Sequence, residues 1–169
     1  MVTWRRAWYR SAQFFTTLWT SWRPVDIAYA ARHLDHELLR LFQRMARAEQ
    51  HHGIAVCRTL EAQGHTDPDL LIAALLHDVG KIKAPPRLWD RVGAVLGERF
   101  APQWAARWSR GEPRGLRRGF VIRRQHPAWG AALAGQAGAS PRAVDFIRRH
   151  HDPVADDKAL AALQAADGK

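Results

Sequence analysis

The alternation of apolar and polar positions predicts a chain built almost entirely of helices. Ala, Leu, Arg and Gln dominate, and runs of β-branched residues that would favour strands are absent. Asp, Ser or Pro precedes several apolar runs and Gly or Pro follows them, which divides the chain into separate helices. The predicted helices cover residues 3–22, 26–33, 35–45, 47–63, 68–78, 85–96, 101–109, 126–137, 140–151 and 156–167.

One predicted helix differs from the others because it is apolar nearly all round. Residues 70–76 read Leu-Leu-Ile-Ala-Ala-Leu-Leu, and a strong helix start with Pro68 in the first turn precedes them. A helix with this pattern is normally buried, so we expect it at the centre of the fold. Gly80 stands where a helix terminator is expected, and residues 110–119 are predicted to form the least ordered internal loop.

Length and composition favour one domain from a reducing compartment. The chain has 169 residues, of which 47% are hydrophobic, so it can build a real core. Its one cysteine, Cys57, is expected in the core and excludes both an intrachain disulfide and a thiolate zinc finger. No stretch approaches the roughly 20 apolar residues that a membrane-spanning helix needs. The first residues do not show the apolar segment and cleavage site of a signal peptide, so none is expected. We therefore expect a soluble cytoplasmic protein.

A formal net charge of +10 indicates acidic partners, although an Arg-rich composition explains it equally well. The Trp- and Arg-rich residues 1–22 could contact a membrane surface, but packing on the core or on a partner chain is favoured. No block of five or more basic residues singles out nucleic acid.

Residues 107–124 are the most basic stretch, and they would attract a phosphate-bearing ligand if they overhang a cleft. Its arginines are Arg107, Arg110, Arg114, Arg117, Arg118, Arg123 and Arg124. The tryptophans expected in the core or in cleft walls are Trp89, Trp104, Trp108 and Trp129.

The candidate chemistry centres on His77-Asp78-Val79-Gly80-Lys81, at the end of the apolar helix. Neighbouring residues of a helix point about 100° apart, so other elements must complete any site around His77 and Asp78. Imidazole and carboxylate ligands suit a divalent transition metal that activates water, such as Mn, Fe, Co, Ni or Zn. A lone helical histidine is more often solvated or hydrogen-bonded, so the hypothesis requires the candidates to converge. The further candidates are His52, His126, His150, His151 and Asp167.

In type and order these residues resemble the HD superfamily of metal-dependent phosphohydrolases, and its HDIG branch most closely. The resemblance covers about residues 47–167. It rests on His52 with Val56 four residues later, the doublet His77-Asp78 with its Gly-Lys, the run His126-Pro127-Ala128-Trp129-Gly130, the pair His150-His151, and Ala166-Asp167. The resemblance implies an all-α, single-domain helical bundle with a metal in a central cleft. The HD domain would cover residues 47–169, with residues 1–46 as a helical extension packed on it.

The resemblance also implies one or two divalent metal ions and a role for each residue. The first ion would be held by His52, His77, Asp78 and Asp167, and the second by His126, His150 and His151, with Asp78 as the bridge. The implied reaction is hydrolysis of a phosphate ester or anhydride by metal-activated water, with a nucleotide as the favoured substrate. Catalytic roles fall to Asp78, to Lys81 as a phosphate contact, and to His126 or His150 in assisting the leaving group.

Two departures and two alternatives accompany this interpretation. The Gly-Tyr-Pro motif of the HD-GYP branch is missing after His151, where Asp152-Pro153-Val154 follows, so cleavage of cyclic dinucleotides is not expected. The sequence ends two residues after Asp167, which leaves open whether the chain is a fragment and how firmly Asp167 is held. One alternative function is a non-catalytic HD module that senses a nucleotide or metal. The other is a basic nucleic-acid- or membrane-associated protein with a structural metal.

Overall fold

Where the structure describes the chain, it consists mainly of helices joined by turns and loops. The computed structural model describes residues 23–87, 89–90, 97, 102–153 and 156–168. Within these residues no β-strand occurs, which confirms the all-α prediction. The α-helices are α1 (Ile27–Ala30), α2 (His36–Gln43), α3 (Arg47–Ala62), α4 (Pro68–Leu76), α5 (Pro102–Trp108), α6 (Arg118–Gln136), α7 (Pro141–Arg149) and α8 (Lys158–Asp167). Two 3₁₀ helices cover Val79–Lys83 and Gly115–Arg117. The helix predicted over residues 3–22 lies outside the described residues, as does most of that over 85–96.

Short polar side chains begin five of the α-helices, as the sequence signals predict. In each case a carboxylate or hydroxyl oxygen accepts a backbone N–H of the first turn, which no helical carbonyl can do. The capping residues are Asp26, Asp35, Asp67, Ser140 and Asp157. At the other end of α3, Gly64 has a φ of 86°, a left-handed conformation that favours glycine and ends the helix as predicted.

Helix α4 lies at the centre of the core, as its apolar sequence predicts. Leu75 and Leu76 are fully buried, and α4 packs against α3, α7 and α8. The contact with α3 is close because Gly53, which has no side chain, faces the backbone of α4. A Cβ at Gly53 would lie 2.7 Å from the carbonyl oxygen of Leu75. This close approach positions the neighbouring His52 beside the end of α4.

The end of α4 differs from the prediction in a way that shapes the site. The helix stops at Leu76 rather than at Asp78, and Gly80 lies inside the 3₁₀ helix Val79–Lys83 rather than terminating a helix. A Cβ on Gly80 would lie 2.0 Å from the backbone oxygen of His126. Gly80 is therefore required by packing against α6, a contact between distant segments that local helix signals do not reveal.

Helix α6 begins eight residues earlier than predicted, at Arg118, which shortens the expected loop 110–119. Pro127, which the sequence places at a helix start, lies inside the helix. The reason is an apolar run just before it. Phe120, Val121 and Ile122 are all buried, and their burial outweighs the one backbone hydrogen bond that a proline removes.

Two of the four tryptophans expected in the core or in cleft walls are exposed. Trp89 is 79% exposed and Trp104 is 67% exposed, so neither lies in the core. Trp108 and Trp129 are partly buried, and Trp108 packs edge-on against Phe120. Trp104 lies on the surface of α5, where its ring centroid is 5.6 Å from that of Trp108. Cys57, in contrast, is fully buried as predicted.

Among the described residues, no helix combines the length and apolarity that crossing a bilayer requires.

Candidate metal centre

All seven candidate ligands lie around the carboxyl end of α4. Four helices and the turn after α4 supply them, and they come from distant parts of the sequence. Helix α3 carries His52, the turn after α4 carries His77 and Asp78, α6 carries His126, the end of α7 carries His150 and His151, and α8 ends with Asp167. The structure therefore brings together every residue that the sequence placed in the site.

One group of candidate ligands consists of His52, His77 and Asp167. Their ligand atoms all lie within 4.8 Å of one another. His52 Nε2 is 2.7 Å from Asp167 Oδ1, and His77 Nε2 is 3.4 Å from the same oxygen. His77 is buried, whereas His52 and Asp167 are partly exposed. This group therefore has a closed side at His77 and an open side toward solvent.

A second group consists of His126, His150 and His151, whose ligand atoms also lie within 4.8 Å of one another. His126 Nε2 and His150 Nε2 are 3.2 Å apart. Both side chains are buried, and His151 is exposed at the edge of the group. The second group is therefore more enclosed than the first, with two buried ligands and one at the surface.

Asp78 lies between the two groups and is itself buried. Its Oδ1 is 3.3 Å from His126 Nε2, and its Oδ2 is 3.5 Å from His77 Nε2. Each carboxylate oxygen therefore faces a different histidine group. A carboxylate in this position has the geometry needed to bridge two cations.

The three buried histidines present the same ring nitrogen to the site. In each, Nδ1 donates a hydrogen bond to a backbone carbonyl three or four residues earlier. The pairs are His77 with Ala74 at 2.9 Å, His126 with Ile122 at 2.9 Å, and His150 with Ile147 at 2.7 Å. Because a carbonyl can only accept, Nδ1 carries a proton in each ring, and in the neutral form of the ring the Nε2 lone pair faces the site. Metal-binding histidines are commonly oriented by such a hydrogen bond.

Two features of these lone pairs fit a bound cation. His77 Nε2 is buried and has no hydrogen-bond partner among the described residues. The Nε2 lone pairs of His126 and His150 face each other across 3.2 Å. A buried nitrogen without a partner and two facing lone pairs both cost free energy, unless a proton or a cation is bound there. Imidazole nitrogens combined with carboxylate oxygens form a donor set that suits a divalent transition metal.

The electrostatics keep both carboxylates ionised. Burial alone would favour the protonated acid at Asp78, but the positive charges of Lys81 and His77 hold its pKa well below the usual range. Burial is likewise outweighed at Asp167, where the hydrogen bond from His52 and the nearby charge of His77 lower the pKa. Ionised carboxylates are the form that coordinates metals.

The histidines divide into two electrostatic classes. Burial lowers the pKa of His151 to about 4, helped by His126 and Arg123, and it also holds the pKa of His150 well below the usual range. Both rings are therefore neutral near pH 7, as ligands must be. At His77 burial again lowers the pKa, but Asp78 and Asp167 more than offset this and raise it to about 9.

The comparison with family models agrees with this geometry. The model described as the HD domain matches residues 33–168. The chain belongs to the HD domain family. Members of this family are generally metal-dependent hydrolases, and they form the phosphohydrolase superfamily expected from the sequence. No match to this chain was found among curated proteins or among solved structures. The HDIG branch and the domain boundary at residue 47 stay predictions.

Glu49 lies next to the candidate metal centre of this HD domain, although the sequence pattern did not reveal it. It is a buried carboxylate on α3, 5% exposed and three residues before His52. Lys81 Nζ lies 3.2 Å from Glu49 Oε2 and 2.6 Å from Asp78 Oδ2. Residues three apart share a helix face, so the spacing to His52 was the available signal.

The arginines of the basic stretch, residues 107–124 of this HD domain, have mixed roles. Arg118 is not available for a phosphate, because it pairs with the Asp90 carboxylate at 3.2 Å and bonds the carbonyls of Pro85 and Pro113. It ties together the segments that precede α6. Arg123, one turn before His126 on α6, is exposed and close enough to influence His151 electrostatically. Arg107, Arg110, Arg114, Arg117 and Arg124 are also exposed.

Proposed function

We propose that this HD domain is a metal-dependent phosphohydrolase that cleaves a phosphate ester or anhydride of a nucleotide. The observation that carries the proposal is the position of Asp78, whose two oxygens face two separate histidine groups. A bridging carboxylate between two ligand sets suits phosphoryl chemistry at two cations.

The side chains would divide between two ions. His52, His77 and Asp167 would hold one, the three histidines of the second group would hold the other, and Asp78 would contact both. Divalent ions at such positions supply Lewis acidity, which lowers the pKa of water and neutralises charge on a phosphate. The same residues could hold a single ion, as the family resemblance also allows.

The remaining residues would bind and orient the substrate. The partly exposed His52 and the exposed His151 mark the side from which a phosphate could enter. Arg123 stands beside His151 and adds positive charge there, which favours an anionic substrate. Lys81 is 20% exposed, so its ammonium can contact a phosphate oxygen at the edge of the site.

His126 fits the role of a ligand better than that of a proton donor. Its Nδ1 is used in the hydrogen bond to Ile122, and its Nε2 faces Asp78 and His150. With both nitrogens committed, the ring has no proton to give to a leaving group. His150 has the same arrangement, since its Nδ1 bonds Ile147. We therefore propose both as ligands only.

The test is phosphate release from a panel of nucleotides, phosphomonoesters and phosphodiesters with added Mn²⁺. The parent chain is compared with Asp78→Ala and with Asp145→Ala, an exposed carboxylate on α7 paired with Arg149. Turnover that is lost in Asp78→Ala and kept in Asp145→Ala supports the proposal and identifies the substrate class. Stoichiometric metal without turnover on any substrate would contradict it and favour the sensor alternative.

A further inference from the structure

One ammonium group in the metal centre is shared between two buried carboxylates. Lys81 Nζ lies 2.6 Å from Asp78 Oδ2 and 3.2 Å from Glu49 Oε2. The side chains of Asp78 and Glu49 are 7% and 6% exposed, so water screens neither contact well. Of the two acids, Asp78 is the one that faces both histidine groups. Lys81 therefore contacts the same oxygen of Asp78, Oδ2, that faces His77.

The formal charges of the cluster show what Glu49 contributes. Among the described side chains, Glu49, Asp78 and Asp167 carry three negative charges, and Lys81 carries one positive charge. Histidines that bind a metal are neutral and add none, so with His77 deprotonated the net charge of these side chains is about −2, which one divalent ion balances. Without Glu49 the balance would fall to about −1, and the Lys81 ammonium would be drawn more strongly to Asp78.

We propose that Glu49 is a positioning residue that would hold the Lys81 ammonium in place when a divalent ion is bound beside Asp78. This inference rests on the phosphohydrolase function proposed above. Glu49 offsets the repulsion between the ammonium and the ion, and it keeps Lys81 at the edge of the site, where a phosphate oxygen could meet it. The Glu49–Lys81 pair would thus allow a buried lysine and a divalent ion to lie beside the same carboxylate, that of Asp78.

The proposal predicts an order of metal affinities that follows the charge of the cluster. Mn²⁺ affinity is measured by equilibrium dialysis for the parent, Glu49→Gln, Lys81→Met and the double variant. We expect Glu49→Gln to bind about tenfold more weakly and Lys81→Met about tenfold more tightly, while the double variant lies within about threefold of the parent. Glu37→Gln, on the exposed face of α2, is the charge-matched control and should bind like the parent.

The variants distinguish a positioning role for Glu49 from a ligand role or a packing role. If Glu49 were itself a metal ligand, Lys81→Met would restore the charge but not the lost ligand, and the double variant would bind well below the parent. If Glu49 only packed, the isosteric Glu49→Gln would bind like the parent, and either result would overturn the proposal. Circular dichroism reports whether each variant folds. Should Glu49→Gln fail to fold, Lys81→Met still decides the question, because unchanged or weaker affinity there would overturn the proposal.

The proposed function and this inference fail in different ways. A parent chain that binds no Mn²⁺ would contradict both. A parent chain that binds Mn²⁺ and releases phosphate, but whose variants do not follow the charge order, would contradict the role of Glu49 alone.

Discussion

His52 and Asp167 lie 115 residues apart in sequence, yet His52 Nε2 and Asp167 Oδ1 are only 2.7 Å apart. The contact forms because α8 packs against both α3 and α4. The same Asp167 oxygen lies 3.4 Å from His77 Nε2, so one carboxylate joins ligands from three segments. The first ligand group therefore exists only when the last helix is docked.

Asp167→Asn tests this dependence directly. The amide keeps the size of the side chain but removes the charge that faces His52 and His77, so we expect metal affinity to fall by about tenfold or more. The helical circular dichroism signal should stay unchanged. Calorimetric titration with Mn²⁺ measures the effect, and Asp156→Asn, an exposed residue just before α8, is the control. Unchanged affinity in Asp167→Asn would exclude it as a ligand.

The two ligand groups should be separable by mutation. We expect His52→Ala to remove one metal-binding event and His150→Ala to remove the other, because each histidine belongs to only one group. The metal content per chain, measured by mass spectrometry after saturation and dialysis, should drop by about one equivalent in each case. If each variant instead lost all bound metal, a single shared ion would replace the two-ion arrangement.

Gly80→Ala should loosen the site, although Gly80 has no side chain and is not itself a candidate ligand. The added Cβ would lie 2.0 Å from His126 O, so the 3₁₀ helix and α6 must move apart. We expect a loss of about 1–3 kcal/mol in the free energy of unfolding, as for other overpacked cores. Urea denaturation followed by circular dichroism gives the value.

Gly135→Ala is the matched control for that substitution. Gly135 is exposed on α6, and a Cβ there would lie 3.6 Å from Val144 Cγ2, an ordinary contact. Gly135 lies in the last turn of α6, so alanine there should leave the stability unchanged or raise it by less than the roughly 0.5–1 kcal/mol of a helix interior. Equal destabilisation by both substitutions would show that the close approach at Gly80 is not what matters.

The buried thiol of Cys57 should be inert in the folded protein. Burial is the largest effect and raises the pKa of Cys57 to about 11, and the side chain is fully enclosed. The reactive thiolate is therefore scarce below that pH. At pH 8.5 we expect iodoacetamide to label the folded chain at least about a hundredfold more slowly than the urea-unfolded chain. Rapid labelling of folded protein would contradict the burial of α3 against the core.

The same shift has a defined consequence for stability. Folding raises the pKa of the Cys57 thiol, so this thiol contributes less to the free energy of unfolding once the pH allows it to ionise in the unfolded chain. Its contribution is fully present below about pH 8.5 and is lost as the pH rises toward about 11. Replacing Cys57 with alanine should remove this part of the pH dependence while costing stability through the lost volume.

Local signals in the sequence predict most of the helices because their causes are local. Asp67 and Ser140 cap helices through hydrogen bonds within one turn, and Gly64 adopts the left-handed conformation that ends α3. The ligand candidates are recognisable for another reason. Histidine and aspartate are residue types that bind metals, and their position at a helix end can be identified from the sequence before the fold is known.

Contacts between distant segments account for what the sequence could not reveal. The early start of α6 and the buried position of Gly80 both depend on which helix packs opposite, and a linear pattern does not contain this information. Glu49 was missed because a glutamate in a helix is usually solvated. Its burial becomes visible only when Lys81, 32 residues later, is placed beside it.

Metal-dependent turnover is the most direct test of the central claim. The purified chain is stripped with a chelator and assayed for phosphate release from the best nucleotide substrate while Mn²⁺ is added in stoichiometric steps. We expect no turnover without metal, a rise that saturates near the number of bound ions, and no response in Asp78→Ala. Phosphate release that survives chelation, or that is equal in Asp78→Ala, would contradict the assignment of this site to metal-dependent phosphate hydrolysis.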